Sequence, residues 1–173
     1  GLTDTAVLTV THAGATDIDL APSTAAVTAG QSRAYTVSAV DAFNNAWDVT
    51  GDSSFAISPG AGGSWIDNAY TSQVAGTWVV TGTYAGHNDT AALTVNAAAL
   101  DHIVLSPSAS TIFAWQTQAY SVEAFDPYNN SRGPLTSQSS FSILESGHGG
   151  QWTDNVFTPG NHGDWTVRAT YAG

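Results

Sequence analysis

Five histidines (His12, His87, His102, His148 and His162), two glutamates (Glu123 and Glu145) and a scatter of aspartates are the side chains of this chain with acid–base or metal-binding chemistry to offer. Their spacing assembles little of it. No His-x-x-x-His and no His-Glu pair occurs, so the ligand spacing of a zinc site is missing. There is no cysteine, which removes disulfides, thiolate metal sites and a cysteine nucleophile. A serine nucleophile of the hydrolase type needs a Gly-x-Ser-x-Gly elbow, and none is present. The chain reads as non-enzymatic, with no cofactor and no resident metal. Oxygen ligands are the one alternative. Asp41-Ala-Phe-Asn-Asn45 and Asp126-Pro-Tyr-Asn-Asn130 could face a calcium ion. The same residues suit a turn in which Asp and Asn bond their own backbone, and without EF-hand spacing the turn is the better reading. Asp17, Asp19, Asp89 and Asp101 fall around an expected domain junction, where a cation could stiffen the chain. Asn88-Asp-Thr90 and Asn129-Asn-Ser131 match the N-glycosylation acceptor pattern. The loop Gly147-His-Gly-Gly150 is expected to be flexible.

Composition excludes further classes. Net charge is −11, and the only basic residues are Arg33, Arg132 and Arg168. Phosphate binding needs clustered cations, so nucleic acid and anionic membrane surfaces are poor partners. Having no Lys also excludes a Lys–Asn isopeptide crosslink. Charged residues make up 10% of the chain, against about 25% in an average globular protein. Ser, Thr and Asn supply the polarity instead, as in sheets with one solvated face. No apolar run approaches the length that spans a bilayer, and no signal peptide is visible.

The elements that must position these residues come from an internal repeat. Ile18-Asp-Leu-Ala-Pro-Ser23 matches Ile103-Val-Leu-Ser-Pro-Ser108, and Asp41-Ala-Phe-Asn-Asn45 matches Asp126-Pro-Tyr-Asn-Asn130, each 85 residues on. Trp65 matches Trp152 and Trp78 matches Trp165 after two small insertions, a shift of 87. Asp4-Thr-Ala-Val-Leu-Thr-Val10 repeats as Asp89-Thr-Ala-Ala-Leu-Thr-Val95.

Within each copy the apolar residues alternate with period two, which argues half-buried strands. Residues 4–10 alternate in this way, and so do 31–40, with Tyr35, Val37 and Ala39 on one face. Phe55 and Ile57 mark a strand; Trp78, Val80, Gly82 and Tyr84 line the inner face of a long one. Pro22 breaks the first strand of its domain, and Pro59-Gly-Ala-Gly-Gly63 is a loop. Short strands with frequent turn signals and no helical period predict an all-β fold of tandem immunoglobulin-like β-sandwiches. The expected layout is a strand at 1–10 belonging to a neighbouring domain, a linker at 11–16, domain 1 at 17–96, a linker at 97–101, and domain 2 at 102–173 without its own last strand.

Leu105-Ser-Pro-Ser108, Ala119-Tyr-Ser-Val-Glu-Ala-Phe-Asp-Pro-Tyr-Asn-Asn130 and Trp78-Val-Val-Thr-Gly-Thr-Tyr-Ala-Gly86, followed by Asp89 to Val95, resemble bacterial immunoglobulin-like (Big-type) repeats. Such repeats occur in tandem in surface proteins and in invasin- or intimin-like adhesins. The resemblance covers nearly the whole chain. It implies an extracellular, cell-surface structural or adhesive array with no catalytic residues. The family's turn often reads Asp-x-x-Gly-Asn; here Asn44 and Asn129 stand where the glycine would be.

Because residues 89–95 already close the first domain, residues 2–10 have no place in it. They are expected to complete the sandwich of a neighbouring unit, with Leu2, Ala6, Leu8 and Val10 laid on the acceptor residues Trp165, Val167, Ala169 and Tyr171. Two arrangements give this contact: a longer covalent tandem array, or separate chains joined head to tail by strand complementation. The bland alternative is a fragment with a disordered N-terminal tail. The leading function is a non-catalytic repeat unit of a surface filament, stalk or sheath. Its partners are copies of itself or adjacent repeats. The rival is an adhesin or carbohydrate-binding module using aromatics present in one copy only. Those are Trp47, which aligns with Arg132, and Trp115, which aligns with Gly30; either partner contact or burial under a loop explains them. Trp65, Trp78, Trp152 and Trp165 recur in both copies and are expected in the core.

Overall fold

The computed structural model describes residues 1–173, with strands and two single-turn 3-10 segments and no α-helix. It divides into two units, Gly1–Asn96 and Ala97–Gly173.

Unit 1 contains β1 (Ala15–Ala21), β2 (Thr24–Thr28), β3 (Ser32–Ala34), β4 (Thr36–Asp41), β5 (Ala46–Asp48), β6 (Ser54–Ile57), β7 (Ser64–Ile66), β8 (Ala69–Thr71), β9 (Gly76–Tyr84) and β10 (His87–Asn96). One sheet has the order β1-β4-β5; the facing sheet has the order β2-β10-β9-β6; a small third sheet is β3-β8-β7. The alternation seen in the sequence is the burial pattern. Leu20, Val37 and Ala39 point inward from one sheet, and Val80, Ala91, Leu93 and Val95 from the other; all are buried. Gly82 lets the two layers approach closely: a Cβ there would sit 3.0 Å from Leu20 Cδ1 and 3.2 Å from Val37 Cγ2. The run 31–40 is two strands rather than one. Tyr35 sits between them, fully buried, as the chain leaves the β3-β8-β7 sheet for the β1-β4-β5 sheet.

Unit 2 contains β11 (His102–Ser106), β12 (Gln118–Ala119), β13 (Ser121–Phe125), β14 (Ser131–Pro134), β15 (Ser139–Ile143), β16 (Gln151–Thr153), β17 (Val156–Thr158) and β18 (Val167–Tyr171). Its sheets β11-β13-β14 and β12-β17-β16 repeat those of unit 1. Its remaining sheet is only β15-β18. The repeat position of β10 falls beyond Gly173, and residues 109–113, the counterpart of β2, form no strand. In unit 1, β10 lies between β2 and β9, so without it the β2 counterpart has nothing to pair with.

Residues 1–14 form no strand, so the strand read over 4–10 is not formed within the isolated chain. A strand needs a sheet edge, and the matching position in unit 1 is held by β10. The expected linkers are also more ordered than flexible connections would be. β1 begins at Ala15, inside the first of them. Ala13 N–H donates to Asp41 Oδ2 at 2.9 Å, and Ala98 N–H donates to Asp126 Oδ2 at 2.7 Å.

Candidate functional site

The feature that sets unit 2 apart is a groove of about 570 Å³ between β18 and residues 107–114. Leu105, Ile112, Ile143, Phe157, Trp165 and Val167 line it. The same repeat positions in unit 1 are sealed: Leu20 and Val80 are buried beneath β10, whereas Leu105 and Val167 are partly exposed. β18 pairs with β15 on one side and carries an open edge on the other. Of the acceptor residues, Trp165, Val167 and Tyr171 are half-buried at this edge. Ala169 stands where unit 1 has Gly82 and brings a methyl group that Gly82 lacks.

The donor residues are the converse. Leu8 is 86% exposed where its counterpart Leu93 is 0% exposed, and Val10 is 82% exposed against 3% for Val95. Leu2 is fully exposed and Ala6 is exposed where Ala91 is buried. The donor residues belong to unit 1 and the acceptor residues to unit 2.

Each unit holds its entering segment in the same way. Asp41 accepts from Phe43 N–H, Asn45 N–H and the Asn45 amide, as well as from Ala13. Asp126 accepts from Tyr128 N–H, Asn130 N–H, the Asn130 amide and Ala98. The Asn45 amide, ahead of the backbone donors, holds the Asp41 carboxyl far below the usual carboxylate range. Burial works against the charge at Asp126, but the Asn130 amide and the Ala98, Asn130 and Tyr128 N–H groups outweigh it, and its pKa is lowered. The carboxylate oxygens that calcium would need therefore face N–H donors. Asn44 and Asn129 have φ of 62° and 61°, the left-handed conformation that Asn tolerates and glycine favours.

Trp47 packs on its own entering segment: its ring stacks on His12 with centroids 3.6 Å apart. Arg132, at the same repeat position, donates to Ala98 C=O instead. Trp115 is 75% exposed with φ of 69°, at the position where unit 1 has Gly30 with φ of 88°. Its N–H donates to Pro159 C=O, as that of Gly30 does to Ser72. Trp65 and Trp152 each join an aromatic cluster, with Tyr35, Phe55 and Tyr70 or with Tyr120, Phe141 and Phe157. Trp78 and Trp165 are half-buried against Gly76 and Gly163, so they border the core rather than fill it.

The histidines do not converge, and no three His, Asp or Glu side chains form a metal-binding group. His102 pairs with Asp101 at 3.0 Å. His148 is braced edge-on to Phe157 and Trp165, and its C=O accepts from Gly160 and Asn161. The loop expected to be flexible is thus tied to the rim of the groove. Asp89 has a role that its sequence context did not reveal: its Oδ2 accepts Leu20 N–H at 2.8 Å, fastening β10 across to β1. Its repetition as Asp4 was the available signal. Asn88 and Asn129 are both exposed.

No protein-family model and no curated protein sequence matches the chain. Solved structures similar to it include domains 5–6 of the S-layer protein SbsC, at 16% identity over 90% of each chain with a TM-score of 0.33. Domains 4 and 5 of SbsC match at 19% identity over 91% of this chain and 94% of theirs, with a TM-score of 0.37. The Escherichia coli adhesin FdeC matches at 20% identity over 91% of this chain and 59% of its own, with a TM-score of 0.40. At such identities and scores, function rests on the chain's own features.

Proposed function

We propose that this chain is a non-catalytic structural element of an extracellular surface assembly, built from immunoglobulin-like sandwiches in which residues 2–10 complete the sandwich of a neighbouring unit. One observation carries the reading. Unit 1 holds Asp89-Thr-Ala-Ala-Leu-Thr-Val95 between β2 and β9 and buries Ala91, Leu93 and Val95, while in unit 2 a groove lies along β18 and residues 4–10 repeat the sequence of that strand in solvent. Burying Leu8 and Val10 contributes about 1.5–3 kcal/mol each, besides a ladder of backbone bonds on both edges. Exposed apolar grooves and open sheet edges invite association. The strand arrives either along a continuous tandem polypeptide or from a separate copy by strand exchange. The second form is a heterologous contact and propagates into a filament when its rotation does not close.

The assembly reading is tested on the 173-residue chain with Leu8→Asp. The chain is expected to self-associate with rising concentration in sedimentation velocity, and the variant to stay monomeric. Equal association of both would remove the strand from the contact. The mass of the native polypeptide under denaturing conditions separates the two forms: near 17.8 kDa for exchanged subunits, far larger for an array.

A glycan-binding role has one point in its favour, the exposed Trp115 beside exposed Phe113. Trp47, stacked on His12, does not present a free ring face in the same manner. The structural reading accounts for more of the chain.

A further inference from the structure

We infer that unit 2 carries a binding site for a neutral saccharide on the turn Phe113-Ala114-Trp115-Gln116, with the exposed Trp115 ring as its stacking platform. The site adds a ligand to the structural role and does not depend on what lies in the groove.

The two copies of this turn are built differently. In unit 1 it reads Thr28-Ala29-Gly30-Gln31. Gln31 N–H donates to Thr28 C=O at 2.9 Å, and Gly30 takes a φ of 88°, which glycine adopts freely. Ser72 locks the turn: its N–H donates to Gln31 C=O, and its hydroxyl is shared between the Thr28 and Gln31 carbonyls. Unit 2 keeps the closing bond, Gln116 N–H to Phe113 C=O at 3.1 Å, and changes the rest. Trp115 takes the glycine position with φ of 69°, an unfavourable conformation for a bulky side chain. Pro159 takes the place of Ser72 and has neither the N–H nor the hydroxyl. Gln116 supplies a substitute lock, its Oε1 accepting Phe113 N–H at 3.0 Å.

The changes at 115 and 159 work against the turn, and burial of the ring does not offset them. Trp115 is 75% exposed and Phe113 is 80% exposed. The ring contacts of unit 2 join other residues and leave Trp115 out. Strained backbone of this kind persists where a function gains from it, and here the gain lies in what the ring meets outside the unit. The exposure is not a product of the groove. In unit 1, where β10 is in place, Thr28 and Gln31 of the same turn are exposed as well. Trp115 is not among the residues that line the groove.

The surroundings select the ligand. The chain carries a net charge of −11, and no Asp, Glu, Lys or Arg occurs from Ile103 to Val122. Anionic polymers are repelled by the whole chain, and an ionic group finds no counter-charge in this segment. Two aromatic side chains of about 150–250 Å² each fall short of the roughly 800 Å² per partner of a stable protein contact. A pyranose matches what remains. Its C–H face is apolar and lies flat on an indole, and its hydroxyls pair with neutral polar groups. Gln116, with Oε1 committed to Phe113, keeps its amide hydrogens as donors on the same turn, and the exposed Thr117 adds a hydroxyl.

Trp115→Gly installs the unit 1 residue and separates ligand from scaffold. Without ligand this variant is expected to melt no lower than the parent chain, because it relieves the left-handed strain; a lower melting temperature makes Trp115 a structural residue and overturns the site. On an array of neutral oligosaccharides, the 173-residue chain is expected to bind at least one pyranose sequence, which then shields tryptophan from acrylamide quenching. Trp115→Gly is expected to weaken that binding about tenfold or more, Trp115→Tyr to retain most of it, and Leu8→Asp to leave it unchanged. An array without binding, or binding that persists in Trp115→Gly, overturns the inference. Shielding by phosphatidylcholine vesicles and by no saccharide assigns the ring to a lipid surface instead. Loss of saccharide binding in Leu8→Asp would tie it to the assembly contact and likewise overturn a separate site.

Discussion

Asp126 shows how a single residue organises its surroundings. It is buried, and four donated hydrogen bonds meet its carboxylate, from the turn that follows it and from the segment that enters the unit. Replacing it with Ala leaves those donors unpaired, a change expected to cost about 1–3 kcal/mol and to speed hydrogen exchange at Ala98 far more than at Leu105. The pH dependence follows from the lowered pKa. The unfolded carboxyl titrates near 3.9, so the folded unit binds its proton less readily and gains stability from the charge above that pH. Stability is expected to be level above about pH 5 and to fall as pH drops through 4 and below, with a smaller fall in Asp126→Ala; thermal melts across pH read both. The sequence showed the turn but not the clamp, because nothing in Asp41-Ala-Phe-Asn-Asn45 indicates that the fourth donor comes from Ala13, far upstream.

At the level of strands, what could be read from the sequence and what could not divide along the source of each constraint. β1, β6, β9 and β10 follow alternation that is set by burial on one face, and this is visible in a single window. The split of residues 31–40 into β3 and β4 was not visible, since Tyr35 continues the alternation while changing which sheet its neighbours join. Residues 4–10 carry a strand pattern and form no strand in the single chain, because pattern fixes which face is buried and only a partner edge supplies the ladder. The groove was inferable because β10 has a written copy of itself. The fastening of Leu20 by Asp89 was not, as it joins residues on separate sheets. A chain extended beyond Gly173 by the sequence His87 to Asn96 is expected to fill its own groove. The measurable outcomes are loss of self-association and a rise in the melting temperature of unit 2; persistence of oligomers would mean that another surface holds them.

Across the whole molecule, two copies of one sequence pattern differ in how much apolar surface they bury. Unit 1 buries Ile18, Leu20, Tyr35, Val37, Val80 and Leu93; in unit 2 only Val122, Ala124 and Phe157 are apolar side chains of comparable burial. Stability scales with apolar area removed from water, so the dilute chain is expected to melt in two calorimetric steps with unit 2 first. As concentration rises, the lower transition should climb toward the upper one, because an occupant that binds only the folded groove stabilises it by mass action. A single transition independent of concentration would place the strand elsewhere.

The parallel alignment of β2 and β10 has a mechanical consequence. β10 leaves its unit in the direction in which β2 advances, so tension drawn out through Asn96 slides the two strands lengthwise past each other. Five residue pairs, Ala92 with Thr24 through Asn96 with Thr28, then resist in shear together, where an antiparallel hairpin pulled from its open end would unzip one rung at a time. A groove that took up a strand in the same sense would convert a modest area of contact into a joint that resists lengthwise pull.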